Sequence, residues 1–255
     1  MIKQLRATLY ILKRDPKPLI ALLVQLILTI YLIVDMRYAD IIRSGSLTKV
    51  IEAFKSFNCD VLFTLPVASL IFVSMTISRD ISSGSRRNRI TVGISRGSIL
   101  AADFVTIAVF NLVCFLIHVL AMVLLFKISA PWFGFTWARI RNFLPFCLLW
   151  ILAWTAFLTM VMSAFDNEVA RISIGLIFAI ANIFLAKNFT DTNGIMRLKG
   201  IKRTVLLFIS ERVPFRFMLV SLSGVDVRKA AEATLTITVL CLVMGYIAIK
   251  RKNVR

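Results

Sequence analysis

The sequence is short of the side chains on which catalysis and metal binding usually draw. It has one histidine and 13 acidic residues in 255. A lone histidine gives little basis for a His-based metal site or a Ser-His-Asp triad. The four cysteines (Cys59, Cys114, Cys147 and Cys241) stand far apart. None has metal or redox spacing, and most fall in apolar runs, where a thiol behaves as a small hydrophobe. No G-x-x-x-x-G-K-[ST] occurs, so no P-loop binds nucleotide on this chain. Charged residues make up only 17%, against about 25% in a typical soluble domain. That is too few to coat a water-facing surface.

What the chain has is oil and positive charge. Hydrophobic residues reach 59%, and 31 Lys and Arg leave a net charge of +18. On a polar chain such an excess would point to nucleic acid. On this one it points to a bilayer, with nucleic acid excluded as a partner. Runs free of Asp, Glu, Lys and Arg occupy residues 18–34, 61–78, 104–126, 142–165, 172–186 and 233–249. A helix needs roughly 17–25 apolar residues to cross the hydrocarbon core. With their flanks the runs predict six helical spans at 18–34, 61–78, 99–126, 142–165, 171–189 and 230–249. The fold class is therefore an all-α integral membrane protein. No repeat of 20–50 residues divides the chain, so residues 1–255 read as one transmembrane domain.

Basic residues set the orientation. The N-terminal arm, the loop after the second span, the turn after the fourth and the C-terminal tail hold 15 of them; the two shorter loops on the other side hold seven. Both termini are thus expected in the cytoplasm, in a multi-pass protein of the cell membrane. The segment 187–229 carries the other nine, for which positive-inside logic offers no reason. Within it, residues 204–222 are apolar but broken by Glu211, Arg212, Pro214 and Arg216. A re-entrant or interfacial hairpin fits them better than a span. The basic start is not read as a cleavable signal, since no small-x-small site follows the first run.

Residues 1–17 place Ile2, Leu5, Leu9 and Leu12 on one helical arc, with Lys3, Arg6, Lys13 and Arg14 mainly beside it. This predicts an amphipathic helix on the inner leaflet, held by apolar burial and anionic lipid. Asp15-Pro-Lys-Pro ends it. Trp132, Phe133, Phe135 and Trp137 suit a headgroup-level aromatic belt.

Several polar or bulky residues inside the spans are candidates for a substrate cavity: Gln25, Asn111, His118, Trp150, Trp154 and Asn182. His118 follows Asn111 by seven residues, on one helical face. It fits either a proton path or an imidazole hydrogen-bonded to a neighbouring helix. Gln25, Thr29 and Asn182 pose the same choice, and Trp150 and Trp154 fit a cavity wall, lipid contact or packing. Gly175 and Ala179 form a small-x-x-x-small pair of the kind that lets helices touch.

The segment from Ser78 to Arg96 is the most distinctive. It holds Arg79, Arg86, Arg87, Arg89 and Arg96 interleaved with Ile90, Val92 and Ile94. It reads either as a solvated basic loop or as a docking element presenting a charged and apolar surface to a cytoplasmic partner. Six spans behind a surface helix, with Asp80 at the membrane exit, Gly84 a few residues on and Ser95-Arg96 before the third span, resemble the membrane subunit of type-2 ATP-binding-cassette exporters. The chain departs from that family's pattern at Asp80, where glutamate is usual, and at Asp103, where a lysine often follows.

The resemblance implies residues 79–98 as a coupling loop, with Arg79, Asp80, Gly84, Arg86, Arg87, Arg89, Ser95 and Arg96 meeting an ATPase subunit. It further implies a pathway built by two membrane subunits, alike or different. No cofactor is expected on this chain; ATP and magnesium belong to the ATPase, and the chain itself is not an enzyme. The substrate class it suggests is amphipathic or hydrophobic, as in small exporters of antimicrobial or toxin peptides of the phenol-soluble modulin and lantibiotic type. An ion-driven secondary transporter, for which His118 is the only mid-span ionisable group, and a non-transporting scaffold are the alternatives.

Overall fold

A computed structural model describes residues 17–34, 64–129, 137–189, 200 and 227–251. Apart from turns, the described residues are helical, with no strand among them. Helix α1 is Lys17–Val34 and α2 is Thr64–Ser78. The last turn of α2, Ser74–Ser78, is a π-helix, and a further α turn, Arg79–Ser82, continues from it. Short helix α3 is Ser85–Thr91. Four longer helices follow: α4, Arg96–Ser129; α5, Trp137–Ala164; α6, Glu168–Phe189; and α7, Val227–Arg251.

Three stretches are long and apolar enough to cross a bilayer: Arg96–Ala121, Leu144–Ala164 and Ala231–Arg251. Leu19–Tyr31 and Thr64–Ser78 are shorter apolar helices. The predicted surface helix before residue 17, the aromatics Trp132, Phe133 and Phe135, and the predicted hairpin at 204–222 lie outside the described residues.

Helices α1 and α7 bury mainly small and polar side chains and turn most of their large apolar ones outward. In α1, Ala21, Gln25 and Thr29 recur every fourth residue and are buried, while Leu19, Leu23, Leu26, Ile27, Ile30 and Tyr31 are exposed. In α7, Thr234, Thr238, Cys241 and Ile249 face inward, and Leu235, Val239, Leu240, Val243, Met244 and Ile247 face outward. A soluble helix does the reverse. Where the solvent is lipid, burying oil gains little, and small residues that let backbones approach decide the contact.

Two glycines show this directly. A Cβ at Gly245 would stand 3.3 Å from the Met160 Cα, so α7 lies close against α5. A Cβ at Gly175 would meet the Leu70 side chain, so α6 reaches α2 through that position. With Ala179 also buried, the Gly175–Ala179 pair makes the helix contact its spacing suggests.

Helix α5 is the central element, touching α4, α6 and above all α7. Pro145 sits inside it; a helix among other helices tolerates the lost hydrogen bond because neighbouring groups re-satisfy the freed carbonyl. Aromatic rings tie the layers together. Phe72 of α2 stacks on Phe110 of α4 with centroids 4.0 Å apart. Phe157 of α5 stacks on Phe178 of α6 at 3.8 Å.

Candidate functional site

The chain leaves α2 and enters α4 through a compact helical connection, in which each sequence landmark has a physical task. Gly84 stands between the Arg79–Ser82 turn and α3 with φ +71°. Its N–H donates to the Ile81 carbonyl at 3.2 Å, and its own carbonyl accepts from Asn88 N–H at 3.0 Å. A side chain in that left-handed conformation costs roughly 1–2 kcal/mol, which accounts for glycine here. At the other end, Gly93 (φ +89°) donates to the Ile90 carbonyl and Ile94 to that of Arg89, both at 3.0 Å. These two bonds make a Schellman stop. Ser95 then caps α4, its hydroxyl accepting from Ser98 N–H at 3.2 Å, the role an N-terminal serine performs best.

The arginines divide into two sets. Arg89 pairs with Asp80 across the Gly84 turn. Arg86 pairs with Asp103 of α4 at 2.8 Å, both side chains only 12% exposed. Arg87, by contrast, is exposed, with Asn88, Thr91 and Val92 on the same outer surface. Val92 is 81% exposed, while Ile90 and Ile94 are half-buried. The outward cationic surface is therefore narrower than the five arginines suggest. The physical reason is local: two acidic residues lie within reach of α3, and charges shielded from water are held only when paired. Asp103, a departure from the family pattern, is the partner that holds Arg86. Arg79 opens its turn, its side chain lying outside the described residues. Arg96 reaches the far end of the chain, donating to the Lys250 carbonyl in the last turn of α7 at 2.7 Å. That bond places the connection and the end of α7 on one side of the molecule.

A second polar group lies in the interior. Asn111 of α4 is fully buried; it accepts from the Ser69 hydroxyl of α2 and donates to the Thr155 hydroxyl of α5 at 3.0 Å. It bridges three helices. Gln25 donates toward Thr29 at 3.3 Å and toward Thr64 of α2 at 3.4 Å. His118 is fully buried on the Asn111 face of α4. Trp150 and Trp154 are buried, with near-parallel rings 6.4 Å apart, and Trp154 also stacks on Phe178 at 6.0 Å. Asn182 lies on α6, its side chain outside the described residues. The five described candidates are enclosed within the bundle of one chain. Among the described residues, no three His, Cys, Asp or Glu gather as for a metal ion.

Sequence reasoning missed a third group beside the end of α2. Arg171, counted only as a loop charge, is 1% exposed. Its guanidinium donates to Ser78 Oγ at 2.8 Å and to the carbonyls of Phe165 and Asp166. Ser74 donates to Glu168 at 2.6 Å. The one available signal was two serines four residues apart, just ahead of Arg79.

The sequence also matches a family model described as ABC-2 family transporter protein, over residues 10–182. That stretch runs from ahead of α1 into α6 and includes the α2–α4 connection. No curated protein matches the chain. The chain belongs to the ABC-2 transporter family, as a membrane-embedded permease subunit of an ABC transporter.

Proposed function

We propose that this chain forms half of the translocation pathway of an ATP-driven exporter. In this reading α3 docks on an ABC ATPase subunit, which binds ATP and magnesium, and a second membrane subunit, identical or homologous, completes the pathway. The observation that carries the reading is the α2–α4 connection. Arg86 and Arg89 brace α3 from within, leaving Arg87, Asn88, Thr91 and Val92 as a small cationic–apolar surface turned outward. Such a surface suits an acidic groove with an apolar floor. Because α3 continues α2 on one side and is braced against α4 on the other, force applied to it reaches both helices. ATP binding can bias the pathway only through a contact that differs between its two states, and a braced α3 is fitted to transmit one.

The Arg96–Lys250 bond keeps the end of α7 on the side of this connection, which in this reading is the cytoplasm. The excess of basic residues in the N-terminal arm, the connection and the C-terminal tail supports both termini inside a cell-membrane protein. The polar side chains bridging the interior helices, Gln25, Thr29, Thr64, Ser69, Asn111 and Thr155, are neutral. An ion pathway usually carries fixed charge. Neutral bridging groups between the helices favour an amphipathic or hydrophobic substrate, with toxin or antimicrobial peptides the leading candidates. The one buried guanidinium among the described residues, Arg171, lies at the α5–α6 turn rather than among these bridges. Such cargo would partition into the bilayer before capture.

The test is purification of the tagged chain in mild detergent. A P-loop ATPase should co-elute at one-to-one stoichiometry and hydrolyse Mg-ATP. Absence of any ATPase would overturn the reading. In reconstituted vesicles, ATP-dependent movement of sodium with no movement of an amphipathic helical peptide would overturn the substrate class alone.

A further inference from the structure

Arg171 is among the largest fully buried side chains in the molecule. A guanidinium in the interior is costly unless its donors are met. Here they are met by three acceptors on two separate pieces of chain. Nε donates to the Phe165 carbonyl at 2.9 Å and one terminal nitrogen to the Asp166 carbonyl at 2.5 Å. Both carbonyls follow directly on the last turn of α5, where the negative end of that helix's dipole favours a cation. The other terminal nitrogen donates to Ser78 at 2.8 Å, itself 1% exposed. Packing alone would be served by an apolar side chain of similar volume at lower desolvation cost.

Ser78 is the last residue of the π turn, and Ser74 is the first. The second tie, Ser74 to Glu168, therefore grips the turn at its other end. Glu168 and Arg171 occupy the first turn of α6, so two bonds fix orientation as well as distance. A π turn carries one extra residue relative to α-helix. Relaxing it would swing everything beyond it by about 100°, and α3 lies just beyond. Left loose, the turn would absorb any movement of α3.

We propose that Arg171 is a positioning residue: with Ser74, Ser78 and Glu168 it clamps the π turn of α2 to the α5–α6 turn, so that movement of α3 is delivered to α5 and α6. This inference rests on the transporter reading above and adds the route by which motion leaves α2.

Hydrogen–deuterium exchange on the co-purified complex in nanodiscs, nucleotide-free and trapped with Mg-ATP and vanadate, tests it. In the wild type, trapping should change exchange both in α3 and in residues 165–167. In Ser78→Ala and Arg171→Lys, α3 should still respond while residues 165–167 do not. The amides of Ser74–Ser78 should also exchange about tenfold faster in the resting state of both variants. Ser78→Ala leaves the guanidinium on two carbonyls, so it can be judged alone if Arg171→Lys does not fold. A merely structural role would lower thermal stability and leave the two responses linked. A wild-type response at residues 165–167 in Ser78→Ala overturns the clamp. A wild-type complex whose α3 ignores trapping overturns the transporter reading, and the clamp with it.

Discussion

Replacing Arg86 by glutamine removes the partner of Asp103 while nearly preserving the length of the side chain. Both members of the pair are 12% exposed, so water cannot fully resolvate the carboxylate left behind. Stripping one partner from a buried pair costs roughly 3–5 kcal/mol; with some exposure remaining, about 2–3 kcal/mol is the working figure. Arg87 is one residue away but exposed, and Arg87→Gln should cost under about 0.5 kcal/mol. In a domain of this size each kcal/mol moves the melting point by roughly 2–4 °C. Arg86→Gln should therefore melt about 4–12 °C lower, and Arg87→Gln within about 2 °C of wild type. In a Cys59→Ser background the protein supplies its own probe, because Cys114, Cys147 and Cys241 are buried and react with a thiol-sensitive dye only on unfolding. Adding Asp103→Asn to Arg86→Gln should recover part of the loss, since no charge is then stranded. The reasoning fails if the two single arginine variants melt together, or if the Arg86 and Asp103 effects simply add.

Three further substitutions have sizes set by the geometry. Gly84→Ala meets no atom within 4 Å, so its cost is backbone strain alone, about 1–2 kcal/mol; Gly84→Asn should recover part of it, both read as melting shifts. Gly175→Val drives atoms into Leu70, an overpacking of roughly 1–3 kcal/mol, and Leu70→Ala should partly rescue it. Asn111→Leu keeps the volume and loses the bridge. The Ser69 hydroxyl is already within 2.6 Å of the Leu65 carbonyl, so the loss should stay near the roughly 0.6 kcal/mol average for interhelical bonds in membranes. A drop of more than 10 °C would mean the bridge holds more of the fold than this.

Helix positions were legible because charge is expensive in lipid, so the described parts of the charge-free runs fall on helices. The second predicted span ends at Ser78, as does the π turn. Helix α5 begins five residues ahead of the fourth run because Trp137, Ala138, Arg139, Ile140 and Arg141 are helical yet include two arginines. Gly84 and Ser95-Arg96 stood out only through the family resemblance; the turn at Gly84 and the cap at Ser95 are what the folded chain adds. Sidedness within the connection was not legible. Helix α3 spans seven residues between two glycine turns, and those turns, which no periodicity encodes, aim Arg86 at Asp103 and leave Arg87 outside. Arg171 was illegible for a related reason: counting charges by loop treats each arginine as solvated. Its burial depends on α5 carbonyls and a distant serine that only the packed bundle brings together. Asn111 and His118 could be placed on one face, but not Ser69 and Thr155, the partners that make Asn111 a bridge.

The central claim is that the outer surface of α3 meets the ATPase. A photo-crosslinking residue placed at Val92, and in a separate variant at Ile177, tests it most directly in the complex isolated under mild detergent. Val92 is 81% exposed at the end of α3, and Ile177 is 66% exposed on α6. Illumination should join the chain to the ATPase from position 92 and not from position 177. An adduct from position 177, with none from 92, would contradict the account.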